Sequence, residues 1–499
     1  MSGGEGLSRR AVMAGGVVAG MMLASRADAA LPIAPWAFAP SGRYFSISPT
    51  MFSGIRYGLV PGRFAAPRPV TDSAADIPTG RLIPSCPQVG GRYPLVDEDC
   101  LFLNVFTPGR TPLADQRLPV MVYFHGGAYS AGSVADPLND GTELARRGDV
   151  VVVTVNHRLN AFGYLYLPDR FPDSGNAGQL DLICALQWVQ RNIAAFGGDP
   201  GNVTLFGQSG GGAKIATLMA MPEAAGLFHK AITMSGQQVT ASGPLNAARR
   251  ARAFLDQLGQ GVDPATAPVE QLIAALSATD PILGGGVYMG PVLDMRHLHR
   301  HPFWPDAPSQ SAHIPMLLGN TVLETRAFYP ADGRVLLGLD WANLAERIAP
   351  EMRVDIEPHW VVAQFRTHYP HAAPEELFHR IVTAARSWRG QVEEAEARAR
   401  DGQGNTFVYQ LDFEQAMHTD DIGLSFGTFT DSTPERQAMS RTIMDAFVRF
   451  ARTGNPGWPA YELRHRKTML FDVHSHVEND PRRWERQLFA HVPYIQPGS

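Results

Sequence analysis

Residues 202–206, Asn-Val-Thr-Leu-Phe, run directly into Gly207-Gln208-Ser209-Gly210-Gly211, and a helical pattern follows from Ala213 to Met221. A short, nearly apolar run of this kind suits a strand buried on both faces of a sheet. A serine flanked by glycines between such a strand and a helix implies a sharp strand-to-helix turn, whose crowded backbone requires glycine-sized neighbours. Few folds accommodate that junction. Two further runs repeat the strand signal, Leu118–Phe124 (LPVMVYF) and Asp149–Asn156 (DVVVVTVN). Asp181–Phe196 reads as an amphipathic helix with Leu182, Ala185, Leu186 and Val189 on one face. Apolar strands alternating with helices define an α/β chain with a mainly parallel sheet.

Downstream of Gly236 the pattern becomes more helical, at Asn246–Leu258, Pro268–Ala278 and across Trp341–Arg400, with strands expected at Pro315–Gly319 and Thr406–Asp412. Phe52 to Pro84 reads as small β elements and loops. No low-complexity linker and no internal repeat divides the chain. Residues 30–499 are therefore expected to form a single catalytic-type domain, with helical excursions covering the C-terminal edge of the sheet.

Composition narrows the function classes. Of 499 residues, 44% are hydrophobic, enough for a large core, and 18% are charged, below the roughly 25% of an average soluble domain. A formal charge of −5 gives no basic surface for phosphates, so a nucleic-acid partner is not expected. The first 29 residues stand apart. Ser8-Arg9-Arg10, an apolar run from Ala11 to Ala24, and Ala27-Asp28-Ala29 read as a twin-arginine-like export signal. The run is shorter than the roughly 20 residues a spanning helix needs, so the mature chain is expected to be periplasmic or secreted without a membrane span. Export permits disulfides. Cys86 and Cys100 flank a loop and form the natural pair, whereas Cys184 lies in a helical pattern. Three scattered cysteines do not make a zinc site.

His125-Gly126-Gly127-Ala128-Tyr129 follows the Leu118–Phe124 strand and resembles the HGGG-type oxyanion loop of esterases and lipases. A tetrahedral intermediate places full charge on a former carbonyl oxygen, and convergent backbone N–H groups can hold it. The candidate donors are Gly127, Ala128 and Gly210. With Ser209 as nucleophile at a helix N-terminus, these residues imply acyl transfer. His297-x-His299-x-His301 could place imidazoles on one strand face, but Pro302 and Pro305 make the segment a loop, and no metal is expected there. Met51, Tyr129, Met289, Phe328 and Phe426 could line an apolar acyl pocket or be ordinary core residues.

From about residue 50 to about residue 475 the chain resembles the type-B carboxylesterase family, which includes the cholinesterases. The resemblance rests on Asp97-Glu98-Asp99-Cys100-Leu101-Phe102-Leu103-Asn104-Val105, the His125–Tyr129 loop, Ala185-Leu186-Gln187-Trp188-Val189 through Asn192-Ile193, Phe196-Gly197-Gly198-Asp199-Pro200, and the Ser209 turn. It implies an α/β-hydrolase fold and supports the Cys86–Cys100 pairing. It also implies a triad acid and base. Gly319-Asn320-Thr321-Val322-Leu323-Glu324 matches the acid segment, with Thr325 where glycine is usual. His418-Thr419-Asp420-Asp421, followed by Phe426-Gly427, matches the histidine segment, with Thr419 in place of glycine. The order Ser209, Glu324, His418 is that of α/β-hydrolases. Two more departures flank the serine: Gln208 where glutamate is usual, and Gly210 where alanine is frequent. The resemblance implies a carboxylic-ester hydrolase acting on a small-molecule ester without cofactor or metal. A lipase, an amide or carbamate hydrolase, and a non-catalytic binding protein on the same fold are the alternatives.

Overall fold

Ten strands form the central sheet of the computed structural model, which describes residues 36–46, 48, 50–109, 117–496 and 498. The segment expected to be an export signal, residues 1–29, lies outside the described residues. In chain order the strands are β1 (Met51–Arg56), β2 (Phe102–Phe106), β3 (Leu118–Phe124), β4 (Val151–Val155) and β5 (Gly198–Gln208). They continue with β6 (Lys230–Met234), β7 (Met316–Thr321), β8 (Thr406–Leu411), β9 (Lys467–Phe471) and β10 (His476–Asn479). Across the sheet they run β10-β9-β8-β7-β6-β5-β3-β4-β2-β1. Pairing is parallel from β4 through β9, and antiparallel where β10 and the β1/β2 edge are added.

Alternation along each strand builds two separate cores. Val120, Val122 and Phe124 of β3 join Val203 and Leu205 of β5 on one face, while Met121 and Tyr123 join Phe206 on the other. All seven residues of β3 are buried, which accounts for its uninterrupted apolar run. The first core is closed by helices α1 (Ala177–Asn192) and α2 (Gly210–Leu218). The second is closed by α3 (Asp420–Phe426) and the long α4 (Pro434–Thr453), through Met439, Ile443, Phe447 and Phe450. Each such side chain contributes roughly 1.5–3 kcal/mol when fully buried. The fully buried Asp181 of α1 takes two guanidinium bonds from Arg158, at 2.6 and 2.8 Å, and the Arg158 N–H at 3.0 Å, tying the helix to the segment after β4.

Element boundaries moved for local reasons. β3 has the expected limits, but β4 starts at Val151 because Asp149 adopts φ 49° as the left-handed cap of the preceding helix, Thr142–Gly148. α2 starts at Gly210, earlier than the apolar pattern suggests, because three glycines carry little helical propensity of their own. The block 341–400 is divided into the helices Leu344–Ile348, Pro358–His368, Pro374–Val382 and Arg389–Arg400, with a π-helical turn over Thr383–Trp388. These pack on one another around Phe365, Leu377, Phe378 and Ile381, a third cluster apart from the two sheet cores.

The cysteines differ from expectation. Cys86 and Cys100 are buried free thiols rather than a disulfide, and Cys184 is also free and buried. Cys86 Sγ instead accepts the Leu159 N–H at 3.2 Å. The two thiols remain neighbours, and a hydrogen bond with Cys86, together with burial, pushes the Cys100 thiol well up. Among the described residues no helix is long and apolar enough to cross a membrane.

Candidate active site

Adjacent strand ends carry Ser209 (after β5), Ser235 (after β6) and Glu324 (beyond β7). Backbone bonds extend the ladder past the strands: the Ser209 N–H donates to the Met234 carbonyl at 2.7 Å, and the Ser235 N–H to the Gly319 carbonyl at 2.7 Å. The Leu323 N–H donates to the Ala416 carbonyl at 3.0 Å, and the His418 N–H to the Glu324 carbonyl at 3.2 Å. These two bonds draw the loop after β8 onto the glutamate segment. The carboxyl edge of a parallel sheet is where open α/β folds place their ligands.

Ser209 has φ 54° and ψ −122°, a strained conformation for an L-residue, of a kind that costs on the order of 1–3 kcal/mol. The strain is held by the bond to Met234 and by the Ala213 N–H, which donates to the Ser209 carbonyl at 3.1 Å. The turn is packed too tightly for side chains around it. A Cβ on Gly211 would lie 1.9 Å from the Phe124 carbonyl oxygen, and one on Gly210 would lie 2.2 Å from that of Ala128. The loop after β3 is thereby pressed against the serine turn. Its Gly127 and Ala128 have φ 89° and 52°. Among the described residues, the N–H groups of Gly127 and Ala128 donate to no protein acceptor. Gly210 opens α2, where helical N–H groups lack intrahelical partners and the dipole favours negative charge.

Glu324 is fully buried, and its Oε2 lies 2.5 Å from His418 Nδ1. Its Oε1 accepts the Thr321 N–H at 2.7 Å and the Ser235 hydroxyl. Burial pushes this carboxyl up, but the His418 charge and the bonds from His418, Ser235 and Thr321 outweigh burial and hold it below its ordinary value. On the other side of the ring, His418 Nε2 is 3.3 Å from Gln208 Nε2, and Gln208 Oε1 is buried without a protein partner. The structure thus brings Glu324 and His418 together and sets Gln208 against the free ring nitrogen. The Ser209 hydroxyl makes no hydrogen bond among the described residues. A cavity of about 400 Å³ opens beside the turn, lined in part by Tyr93, Gly126, Gly127, Asp136, Gln208 and Thr419.

The departures from the family pattern have structural consequences. Thr325 Oγ1 lies 3.0 Å from Thr383 Oγ1 and 3.3 Å from the His379 carbonyl, fastening the glutamate segment to the helical cover. Thr419 has φ 81°, strained for a β-branched residue. Asp420 accepts the Met417 N–H at 2.7 Å, which orders the histidine loop. Asp421 is buried against the Tyr409 hydroxyl at 3.3 Å, and burial, with the Glu324 charge added, pushes it up to about 7.

The remaining residues singled out in the sequence have varied surroundings. His125 is buried, stacked on His157, and pushed down to about 3 by burial and the Lys214 charge, so it is neutral. Phe328 packs against His418 with ring centroids 4.7 Å apart and the planes tilted by 56°. Phe426, by contrast, packs with Tyr123 and Phe206 in the second core, Met51 lies against that core, and Tyr129 and Met289 belong to the first. His297 faces Asp173 and Glu223, His299 the Arg296 carbonyl, and His301 the Ala241 N–H, three unrelated destinations. Among the described residues no group of three such side chains is placed to hold a metal. Sequence reasoning missed Ser235 and Lys214. A Ser-Gly after a strand and a lone lysine in a helix carry no distinguishing signal.

The parallel sheet, the strained serine turn and the buried acid–histidine pair at its carboxyl edge define an α/β-hydrolase. The model of the carboxylesterase family matches residues 42–489. The chain is 35% identical over 491 residues to the para-nitrobenzyl esterase of Bacillus subtilis (strain 168), covering 87% of this chain and 94% of that one. Among solved structures, the Geobacillus stearothermophilus carboxylesterase Est55 superposes with a TM-score of 0.79 at 33% identity, over 91% of this chain and 99% of that one. A PNB esterase gives 0.78 at 33% identity with the same coverage. This chain belongs to the carboxylesterase family, whose members hydrolyse ester bonds.

Proposed function

We propose that the chain hydrolyses small carboxylic esters through an acyl-enzyme on Ser209, with His418 as general base and acid and Glu324 as its orienting carboxylate. Ser209 Oγ attacks the ester carbonyl carbon while its proton passes to His418 Nε2. The N–H groups of Gly127, Ala128 and Gly210 hold the oxyanion. Collapse expels the alcohol, which takes the proton from His418 and leaves acyl-Ser209. His418 then takes a proton from water as the water oxygen bonds to the acyl carbon. Collapse breaks the bond to Ser209 Oγ, which takes that proton back from His418 as the acid leaves. The observation that carries this reading is the 2.5 Å contact of Glu324 Oε2 with His418 Nδ1 between residues 94 apart in sequence. It fixes the proton on Nδ1 and leaves Nε2 to act as base. In a substrate complex the Ser209 hydroxyl would take the Nε2 position that Gln208 now faces, as catalytic bonds often tighten only on binding.

Ser209→Ala should abolish p-nitrophenyl ester turnover, and activity within a few-fold of wild type would rule the assignment out. An organophosphate should add one covalent mass to the Ser209 peptide, and labelling elsewhere counts against the nucleophile. The twin-arginine-like leader supports export as a second part of the proposal. Cleavage after Ala29 in protein recovered from outside the cytosol tests it, and thiol alkylation of the same material reads whether Cys86 and Cys100 have oxidised there.

A further inference from the structure

Lys214 lies on α2, one turn beyond Ser209, with its side chain fully buried and no carboxylate paired with it among the described residues. An ammonium group removed from water without a counter-ion is costly, so the position calls for a physical reason. Lys214 Nζ donates to the Ala128 carbonyl at 2.8 Å and to the His125 carbonyl at 3.2 Å, and lies 5.6 Å from the centre of the Tyr129 ring. Those two carbonyls bracket the oxyanion peptides. The His125 oxygen belongs to the 125–126 peptide plane and the Ala128 oxygen to the 128–129 plane. Between them lie the two planes that carry the Gly127 and Ala128 N–H groups, and because peptides are planar, pinning the outer pair restricts the inner pair.

Resting on the serine-hydrolase reading above, we propose that Lys214 is the positioning residue of the oxyanion hole, a two-point clamp that aims the Gly127 and Ala128 N–H groups at the reacting oxygen. Gly210 is the other half of the same device. The clamped Ala128 oxygen is the atom that a Cβ on residue 210 would approach to 2.2 Å, so a loop pulled this close demands glycine there. The groups facing the amine are His125 of the loop, His157 beyond β4 and Tyr129. Burial and the lysine charge hold both histidines low, and burial holds the Tyr129 hydroxyl high. Burial also pushes Lys214 down to about 7, which makes it the member of this set that changes charge near neutrality. A developing oxyanion favours its charged form, so the clamp adds positive potential below that pH and less above it.

The test uses the full-length enzyme, p-nitrophenyl butyrate and an alkyl trifluoromethyl ketone, whose carbonyl carbon bonds to Ser209 Oγ while the serine proton passes to His418 and the oxygen becomes an oxyanion. Lys214→Met should lower kcat about tenfold or more with little change in KM, and weaken the ketone by a similar factor. Fluorophosphonate labelling of Ser209 should persist. Lys214→Gln, which keeps two N–H donors without charge, should recover part of kcat but lose the bend near neutral pH. Wild-type ketone affinity should fall as pH rises through about 7. A methionine variant within twofold of wild type in both kcat and ketone affinity overturns the clamp. Should the variants not fold, a wild-type ketone affinity flat from pH 6 to 8.5 overturns it. Failure of the underlying reading looks different: the ketone would not bind wild type at all, or Ser209→Ala would keep its activity.

Discussion

The Ala128 carbonyl oxygen occupies the space beside Gly210 so closely that a Cβ on Gly210 would lie 2.2 Å from it and 2.4 Å from the Ala128 Cα. The close approach explains why this chain carries glycine immediately after the serine. Since both atoms struck are backbone, no rotamer change relieves the clash. Gly210→Ala should displace the loop after β3 and, if that loop holds the oxyanion as proposed, lower kcat by about 10²-fold, the scale of losing one donor. Steady-state kinetics check it, and an alanine variant with wild-type kcat contradicts the close packing.

Glu324→Gln puts an amide against His418 Nδ1. The amide N–H donates to that nitrogen and drives the proton to Nε2, the tautomer that cannot accept from serine. A drop in kcat of about 10³–10⁴-fold, with KM nearly unchanged, is expected. Ester turnover by the purified variant measures it, and a loss below tenfold removes Glu324 from the orienting role.

Asp421 provides a pH test of stability. Its folded value is raised to about 7 from an ordinary 3.8, chiefly by burial. A raised carboxyl contributes stability that is fully present below the unfolded value and is lost as pH climbs through the folded one. Asp421→Asn, which cannot ionise, should therefore be more stable than wild type at pH 8, by up to roughly 4 kcal/mol. Near pH 3.5 the two should converge. Urea midpoints at both pH values decide, and a variant less stable at pH 8 contradicts the burial of a neutral acid.

Glu324 has the opposite sign. Its carboxyl is held below the ordinary 4.5, so its contribution is present above that pH and disappears as pH falls through the folded value. Acid unfolding of wild type should accordingly begin at a lower pH than the carboxyl's ordinary value. Circular dichroism across pH 2–6 reads it, and a Glu324→Gln variant should lose this limb of the curve.

Thr419 is a β-branched residue at φ 81°. The strain costs on the order of 1–3 kcal/mol, whereas glycine's extra unfolded-state entropy costs only about 0.4–1 kcal/mol. Strain is the larger effect over most of these ranges, so Thr419→Gly should raise stability by up to about 2 kcal/mol. A lowered urea midpoint would show that the threonine side chain is held by something other than its strained backbone.

Much of the architecture was legible locally. β3 could be read to its end residues because both faces are buried and every position is apolar, and the Ser209 turn because glycine crowding is written in adjacent residues. Boundaries next to left-handed residues or glycine runs, such as Asp149 and the start of α2, were not, because there tertiary packing overrides propensity. The Glu324 and His418 positions came only with the family resemblance, since nothing in a short window separates one loop histidine among 16 from the rest.

Periodicity and steric permission are properties of neighbouring residues, so the alternation of buried strands and helices, the serine turn and the glycine-rich loop before it are written along the chain. What meets at the carboxyl edge of the sheet is set by folding: His418 on Glu324, Ser235 behind it, Gln208 across the ring, and the buried Lys214 beneath the loop. Those contacts follow from strand order, which joins residues up to 210 apart in the chain and sets their distance and their access to water. A lysine in a helical pattern is ordinarily solvated. Here a glycine-started helix packs so near the loop after β3 that the lysine is buried, and among the described residues its amine donates to the backbone carbonyls of His125 and Ala128.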